Sequence, residues 1–404
     1  MLAALAISCT QTAPAIESPA PSREPGVLEV TVLLDLSGDR RPGGNAQRDA
    51  IQLWLDQRQS RPAASSSAGG PPLRVRTRTV DVAGSDAKVL IELRRAVEEQ
   101  HADAIIVGTP ITPQLATFAA AADLAQVPIL LTLPASDALA SRWIFALAPS
   151  VEQLARAAID DVAARGIARA NVQLVPESAA AQTESAALSL EAARRQLAPM
   201  TVVRVERPEP QPSASQLLAT ASAFHVLGAP RDVAALTRSA SAPPFYLSYL
   251  TDPLELGAFR DVPTAQWLGS RRVVASTAPG RPGPSAPFVQ SFGERHGPPS
   301  THAATAYDAI ALLELAALLE GTADPTAGVA VPSGGAPGPS GGTISPARLR
   351  DRLERTTFAG IATTYAFSTS SHAGPALDDL AYLRWTGSAV ATVSRAGVAP
   401  VTPR

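Results

Sequence analysis

Two near-continuous apolar runs lie close together in the chain, at residues 103–107 and 127–133, with a helix-like stretch between them. Both runs consist almost wholly of Ile, Val, Leu and Ala, a pattern typical of strands that helices cover on both faces. The stretch therefore predicts a βαβ unit in a parallel sheet. Ligands bind at the carboxyl ends of such strands, so Thr109, Thr112, Ser136 and Asp137 in the two following loops are candidate binding residues.

The same alternation of strand-like and helix-like patterns extends along the chain on both sides of this unit. Strands are predicted at residues 28–34, 73–82, 143–147, 171–175, 202–206, 223–227, 245–250, 272–277, 363–368 and 380–385. Helices are predicted at residues 46–58, 86–100, 151–165, 184–197, 288–296, 303–320 and 346–355. A chain of 404 residues is too long for one core. The pattern therefore predicts an α/β protein of two Rossmann-like lobes with parallel sheets.

The net charge and the number of cysteines argue against several kinds of partner and site. The 34 basic and 36 acidic side chains give a net charge of -2, which does not favour nucleic acid or an anionic membrane surface as a partner. Cys9 is the single cysteine, which excludes an intramolecular disulfide and a cysteine metal site.

The first residues resemble the end of a bacterial lipoprotein signal. Residues 1–8 are apolar or small, Cys9 follows them, and a spacer rich in Pro, Ser and Ala extends to about residue 26. In such a signal Cys9 is lipidated and becomes the mature N-terminus. A plain secretory leader and a chance cysteine remain as alternatives.

Motifs for catalysis, metal binding and nucleotide binding are weak. Residues 338–342 match the G-x-S-x-G pattern, but no buried strand precedes them and no helix follows directly. The five histidines show no metal-ligand spacing, and the chain contains no Walker or dinucleotide glycine pattern. We therefore predict that the protein is not an enzyme and has no metal site and no cofactor.

Two further positions have both a structural and a binding interpretation. Thr112 followed by Pro113 is a common helix start, but this helix begins at the carboxyl end of a parallel strand, where free N–H groups bind anions. Tyr249 ends a predicted second-lobe strand and is better placed for a ligand than Tyr307, which lies on an apolar helix face.

Several stretches, in this order, resemble the solute-binding proteins of bacterial ABC transporters, in particular the leucine/isoleucine/valine-binding, type I periplasmic-binding family. They are LEVTVLLDLSG at 28–38, ADAIIVG at 102–108, VPILLTLPASDAL at 127–139, FALAPS at 145–150 and HAATAYDAIALL at 302–313. The resemblance implies two lobes joined by three hinge crossings, near residues 148–150, 275–279 and 360–365.

The resemblance also implies a division of the chain. Residues 1–26 are the signal and linker; residues 27–148 with 276–360 form the N-terminal lobe, with a flexible Gly/Pro-rich insertion at 322–342; residues 149–275 with 361–404 form the C-terminal lobe.

The family's binding positions are only half matched. Its two first-lobe hydroxyls correspond to Thr112 and Ser136, whereas Val151 and residues 179–181 and 229–231 replace its second-lobe Asp, Tyr and acidic residue. Glu152, Glu177 and Asp232 lie close to these positions and are possible substitutes. The candidate ligand-binding set is Ser37, Thr109, Thr112, Ser136, Asp137, Glu177 and Tyr249.

The expected function is that of a monomeric lipoprotein, anchored through Cys9 in the periplasm or at the cell-envelope surface. The protein is expected to capture a small polar ligand (an amino acid, an amide or a short carboxylate) and to deliver it to an ABC permease. Nucleic acid is not an expected partner. The alternative is a lipoprotein of the same fold that binds a protein partner and regulates it in the cell envelope.

Overall fold

The computed structural model describes residues 24–60, 73–111, 114–137, 139–167, 171–205, 221–227, 245–250, 252, 254–255, 265–276, 283, 285–320, 343–386 and 390–393. The strands are β1 Val27–Leu34, β2 Arg74–Asp81, β3 Ala104–Gly108, β4 Ile129–Leu131, β5 Ile144–Ala146, β6 Asn171–Pro176, β7 Thr201–Val205, β8 Ala223–Val226, β9 Phe245–Leu247, β10 Ala265–Ser270, β11 Thr357–Ala359, β12 Thr364–Ala366, β13 Leu380–Trp385 and β14 Val390–Val393. The helices are α1 Arg41–Ser60, α2 Asp86–Glu98, α3 Leu115–Ala125, α4 Val151–Ala164, α5 Ala179–Arg194, α6 Arg271–Ala275, α7 Ala286–His296, α8 Thr301–Glu320 and α9 Pro346–Leu353, and a 3₁₀ turn spans Leu377–Asp379.

The first lobe is built on a five-stranded sheet of order β2-β1-β3-β4-β5, in which all neighbours are parallel. Along β3, Ala104 and Ile106 belong to one apolar cluster, whereas Ile105 and Val107 belong to another on the opposite face. Each face of the sheet is thus buried under helices, which is why strands with continuous apolar runs form here. The predicted βαβ unit is confirmed.

The second lobe is built on a seven-stranded sheet of order β14-β13-β10-β9-β8-β6-β7. Its strands from β6 to β10 are parallel, whereas β13 and β14 are antiparallel to their neighbours and form one edge. The α/β fold class is therefore confirmed, with one parallel and one mixed sheet. Helices α4 and α5 pack on this sheet and against each other.

The chain passes between the two sheets three times. The passages lie between β5 and α4, between β10 and α7, and between β12 and β13. The β11–β12 hairpin precedes the third passage, and its Phe358 and Tyr365 pack into the first-lobe core.

Some predicted elements differ from the structure in type or in their first residue. Helix α1 begins at Arg41 instead of residue 46, and the N-cap of α3 is Gln114 instead of Thr112. Residues 272–277 were expected to form a strand, but Arg271–Ala275 is a helix whose N-cap Ser270 accepts a hydrogen bond from the Val273 N–H. The β-branched pair at 273–274 suggested a strand, yet the serine cap and the burial of Val273 against α7 residues favour the helix. Helix α5 also begins five residues before its predicted start, because Ser178 caps it at the Ala181 N–H.

Helix α8 is a core helix of the first lobe. The stretch Thr301–Leu319 is long and apolar enough to cross a membrane, but 67% of it is buried inside the protein. It contacts α1 and α9 and contributes Ile310 and Leu313 to the main apolar cluster.

A fully buried carboxyl on α8 holds the segment that follows β11. Asp308 accepts hydrogen bonds from the N–H groups of Ile361 and Ala362, at 2.6 and 2.8 Å, and from the Tyr365 hydroxyl at 3.2 Å. Burial raises the pKa of Asp308 to about 7, although these donors oppose the rise. Glycine suits position 360, because a Cβ atom there would clash with the Asp308 carboxyl group.

Several expectations lie outside the described residues. They are the lipidation of Cys9, the binding role of Thr112, the insertion at 322–342 and the G-x-S-x-G stretch at 338–342.

We predict that Asp308→Ala lowers the free energy of unfolding by about 3 kcal/mol, because two buried N–H groups lose their acceptor. Asp308→Asn keeps one acceptor oxygen, so its loss is expected to be smaller. Urea denaturation measures both, with the exposed Asp378→Ala as the control. Equal stability of Asp308→Ala and the control would contradict the assigned role.

Candidate functional site

The carboxyl ends of β1, β2 and β3 lie at one edge of the first sheet, where polar side chains are buried. Thr109 donates a hydrogen bond of 2.8 Å to one oxygen of Asp35, and the Gly84 N–H donates to the other at 2.6 Å. Burial raises the pKa of Asp35 in spite of these donors. The loops after three strands therefore meet around one carboxyl group.

Gln47 of α1 fixes the loops after β3 and β4. Its side-chain N–H donates to the Gly108 carbonyl at 3.2 Å, and its oxygen accepts a hydrogen bond of 2.5 Å from Thr132. All polar atoms of this contact are buried, so a shift of either loop would leave groups unsatisfied.

The facing edge of the second sheet carries another carboxyl, which is half-buried. Ser248, directly after β9, donates a hydrogen bond of 2.6 Å to Glu184 on α5 and accepts one of 3.1 Å from the Leu250 N–H. Burial raises the pKa of Glu184 to about 7. Glu184 and Ser248 line a cavity of about 30 Å³ together with His225 and Tyr249.

A carboxylate from the second lobe binds the loop after β4 in the first lobe. Ser136 donates a hydrogen bond of 2.6 Å to one oxygen of Glu152, and the Asp137 N–H donates to the other at 2.9 Å. Glu152 lies in the first turn of α4, immediately after the first passage between the lobes. Both oxygens of one second-lobe carboxylate are thus held by the first lobe.

A first-lobe guanidinium faces acidic groups of both lobes. Arg40, in the turn before α1, interacts electrostatically with Asp35 of its own lobe and with Glu184 of the other. Burial lowers the pKa of Arg40, and these carboxylates partly offset that effect. This interaction is a second link across the cleft.

A third link joins the loop after β9 to the first-lobe helices. Glu255 lies 2.9 Å from His302 at the start of α8, and both side chains are buried. Burial alone would lower the pKa of His302, but the negative charges of Glu255 and Asp252 outweigh it and raise that pKa. Burial and the charge of Glu255 raise the pKa of Asp252 to about 6.

A groove of about 560 Å³ opens beside the Ser136 loop. Ser150 and Gln153 at the start of α4 line it, together with residues 369–374 of the third passage. The groove thus touches two of the three segments that connect the lobes.

The sequence model of a family described as periplasmic binding protein matches residues 28–389. The chain belongs to the periplasmic binding protein family. Its members are extracytoplasmic proteins that bind solutes, so this chain is a periplasmic-type solute-binding protein. A comparison with curated proteins found no match.

Solved structures share the fold of this periplasmic binding protein at low identity. The solute-binding protein of an ABC transporter from Rhodopseudomonas palustris, in complex with benzoate, has a TM-score of 0.69 and 16% identity, covering 92% of this chain and 96% of its own. The branched-chain amino acid transporter substrate-binding protein LivJ from Streptococcus pneumoniae, in complex with isoleucine, has a TM-score of 0.66 and 15% identity, covering 91% and 99%. The leucine-binding protein LivK from Thermotoga maritima has a TM-score of 0.65 and 15% identity, covering 91% and 98%. The resemblance to this family, and the fold that it implied, are confirmed.

The first-lobe candidates that the structure describes, Ser37, Thr109, Ser136 and Asp137, lie at the carboxyl edge of the first sheet, and each has a protein partner. The contacts of Thr109, Ser136 and Asp137 are those described above. The Ser37 hydroxyl hydrogen-bonds to Asp81, and this bond holds the pKa of the Asp81 carboxyl below its ordinary value. Their role in ligand binding remains a prediction.

The two second-lobe candidates differ in their surroundings. Tyr249 is buried beside the cavity, and its ring centre lies 5.2 Å from that of His302. Glu177 follows β6, is exposed, and makes no hydrogen bond or ion pair with other described residues. The binding roles of Tyr249 and Glu177 remain predictions.

Sequence patterns missed Arg40, Glu184 and His225. Glu184 had a detectable signal, because it interrupts the apolar positions Ala180 and Leu188 at a spacing of four residues. A charged residue on an apolar helix face points to a buried polar contact. The late predicted start of α5 concealed this pattern.

We predict that Glu184→Gln changes how stability depends on pH. The pKa of Glu184 in the folded protein, about 7, exceeds its ordinary value of 4.5, so wild type loses stability as the pH rises through this window. The free energy of unfolding of the variant, relative to wild type, is expected to increase over the same window. Urea denaturation at several pH values measures this difference, with Asp160→Asn on α4 as the control. A difference that is constant with pH would contradict the raised pKa of this carboxyl.

Proposed function

We propose that this protein captures a small polar solute between its two lobes and delivers it to an ABC permease. The observation that supports this proposal is that groups at the carboxyl edges of the two sheets contact each other across the cleft. Carboxylates of the second lobe, at Glu152 and Glu184, face donors and a guanidinium of the first lobe.

Closure of the lobes is proposed to depend on the ligand. A ligand shifts an open–closed equilibrium only through contacts that it makes better in one state. Side chains from both lobes supply such contacts here, and the three passages are the segments about which the lobes would move.

The test is a thermal-shift screen of the whole chain with amino acids, short amides, amines and short carboxylates. A ligand at one hundred times its dissociation constant stabilises the folded state by about 2.7 kcal/mol, which a melting curve detects. Absence of stabilisation by all members of the screen would contradict the proposal. It would favour the alternative of a protein-binding lipoprotein.

With a ligand from this screen, we predict that Ser136→Ala weakens binding by about tenfold or more. The variant loses a hydrogen bond to a charged group that joins the lobes in the closed form. The matched control is Ser141→Ala, which removes a hydroxyl–carboxylate bond to Asp123 within one lobe. Calorimetry compares the variants, and equal affinities would remove the Ser136–Glu152 contact from the closure mechanism.

We further propose that Cys9 anchors the protein to a membrane through a lipid. Replacing it by Ser is expected to move the protein from the membrane fraction to the soluble fraction, because the acyl chains supply the binding energy. Cell fractionation and immunoblotting measure this distribution. Unchanged membrane association of Cys9→Ser would reject the lipid anchor.

A further inference from the structure

The hydroxyls around the cleft have already donated their hydrogens to carboxylates of the protein. The pairs are Ser37 with Asp81, Thr109 with Asp35, Ser136 with Glu152, and Ser248 with Glu184. A serine or threonine hydroxyl has one hydrogen to donate but two lone pairs with which to accept. These four hydroxyls therefore offer a ligand acceptors rather than donors.

The charges near Arg40 are also predominantly negative. Asp35, Asp86 and Glu184 all interact with this one guanidinium. Burial raises the pKa of each of the three carboxyls. The nearby donors and the Arg40 charge therefore do not fully offset the loss of water around the charged carboxylates. In addition, one oxygen of Asp86 is buried and has no hydrogen-bond partner among the described residues. A positive group entering this region would relieve that cost.

An independent observation comes from the cavity behind Glu184. His225 on β8 lines the cavity, is 1% exposed, and its Nε2 atom has no hydrogen-bond partner within the described parts of the chain. Burial lowers the pKa of His225 to about 4, so the ring is neutral at physiological pH and cannot balance the carboxylate. With the proton on Nδ1, Nε2 is a buried acceptor without a donor.

The size of the cavity limits what it can hold. Its volume of about 30 Å³ is that of one small group, such as a water molecule or an ammonium. A bound group would face the Glu184 carboxylate, the one Ser248 lone pair that does not accept from the Leu250 N–H, and the His225 Nε2 atom, which is an acceptor when the ring proton is on Nδ1. An ammonium group supplies three hydrogens and a positive charge, and therefore matches these partners better than a carboxylate or an ether.

We infer that the ligand of the cleft carries a primary ammonium or a similar cationic N–H group, which binds between Glu184, Ser248 and His225. This inference rests on the proposed function, because it identifies the chemical class of the captured solute. The Glu152 carboxylate of the same lobe supports it, since it already occupies the first-lobe donors of Ser136 and Asp137.

The titratable groups near Glu184 determine how binding depends on pH. They are Arg40 before α1, His225 on β8, Tyr246 on β9, Tyr249 after β9 and Tyr382 on β13. Burial raises the pKa of Tyr246 and Tyr249 far above neutrality. Of these groups, the one that titrates near neutral pH is therefore Glu184.

The experiment is calorimetry on the full chain with four probes of similar size: 1,4-diaminobutane, butylamine, butyramide and butyrate. The amines are expected to bind at least about tenfold more tightly than the amide and the carboxylate. Amine affinity is expected to rise between about pH 6 and about pH 8, because Glu184 ionises there while an alkyl ammonium stays charged.

The variants identify the residues responsible. Glu184→Gln is expected to weaken amine binding by about tenfold or more and to abolish its pH dependence, whereas Asp160→Asn removes the same charge on α4 without either effect. Ser248→Ala, a second variant with no charge change, is expected to weaken amine binding by about three- to tenfold.

Three results would overturn the inference. The first is binding of butyrate or butyramide as tight as that of the amines, and the second is wild-type amine affinity in a folded Glu184→Gln or Ser248→Ala. The third is absence of amine binding, which shows that water alone fills the cavity. If another solute from the broader screen still binds, only this inference fails; if none binds, the proposed function fails as well.

Discussion

Strands that are apolar on both faces place a strong constraint on this protein. Residues 104–108 and 129–131 are buried under helices on each side, so neither strand can carry polar groups along its length. Polar side chains are consequently concentrated in the loops at the strand ends. Because parallel strands end at the same edge of a sheet, these loops become neighbours, and the cleft is formed from them.

The carboxyl groups at these edges need donors from elsewhere in the chain, because an unpaired buried charge costs several kcal/mol. Asp35 obtains them from the loops after β2 and β3, Glu152 from the loop after β4, and Asp308 from the segment before β12. Each of these contacts also fixes the position of one segment relative to another. The carboxylates that make the cleft acidic therefore also fix the positions of the segments around it.

Sequence patterns predicted elements well wherever the local signal was strong. The apolar runs of β1, β3 and β4 and the long apolar helix α8 were found in the right places. The errors arose where a local preference competed with a packing contact. The Val273–Val274 pair favours a strand by composition, but a serine cap and burial of Val273 make it helical.

The sequence by itself determined the α/β class, the resemblance to periplasmic binding proteins and the loops that carry Thr109 and Ser136, because periodicity and strand ends are local properties. Only the tertiary structure decided which groups face those hydroxyls. Ser248 and Glu184 lie 64 residues apart, and Thr109 and Asp35 lie 74 apart. Such pairs depend on how two sheets and their helices are placed in space. The spacing of residues along the chain carries no information about that placement.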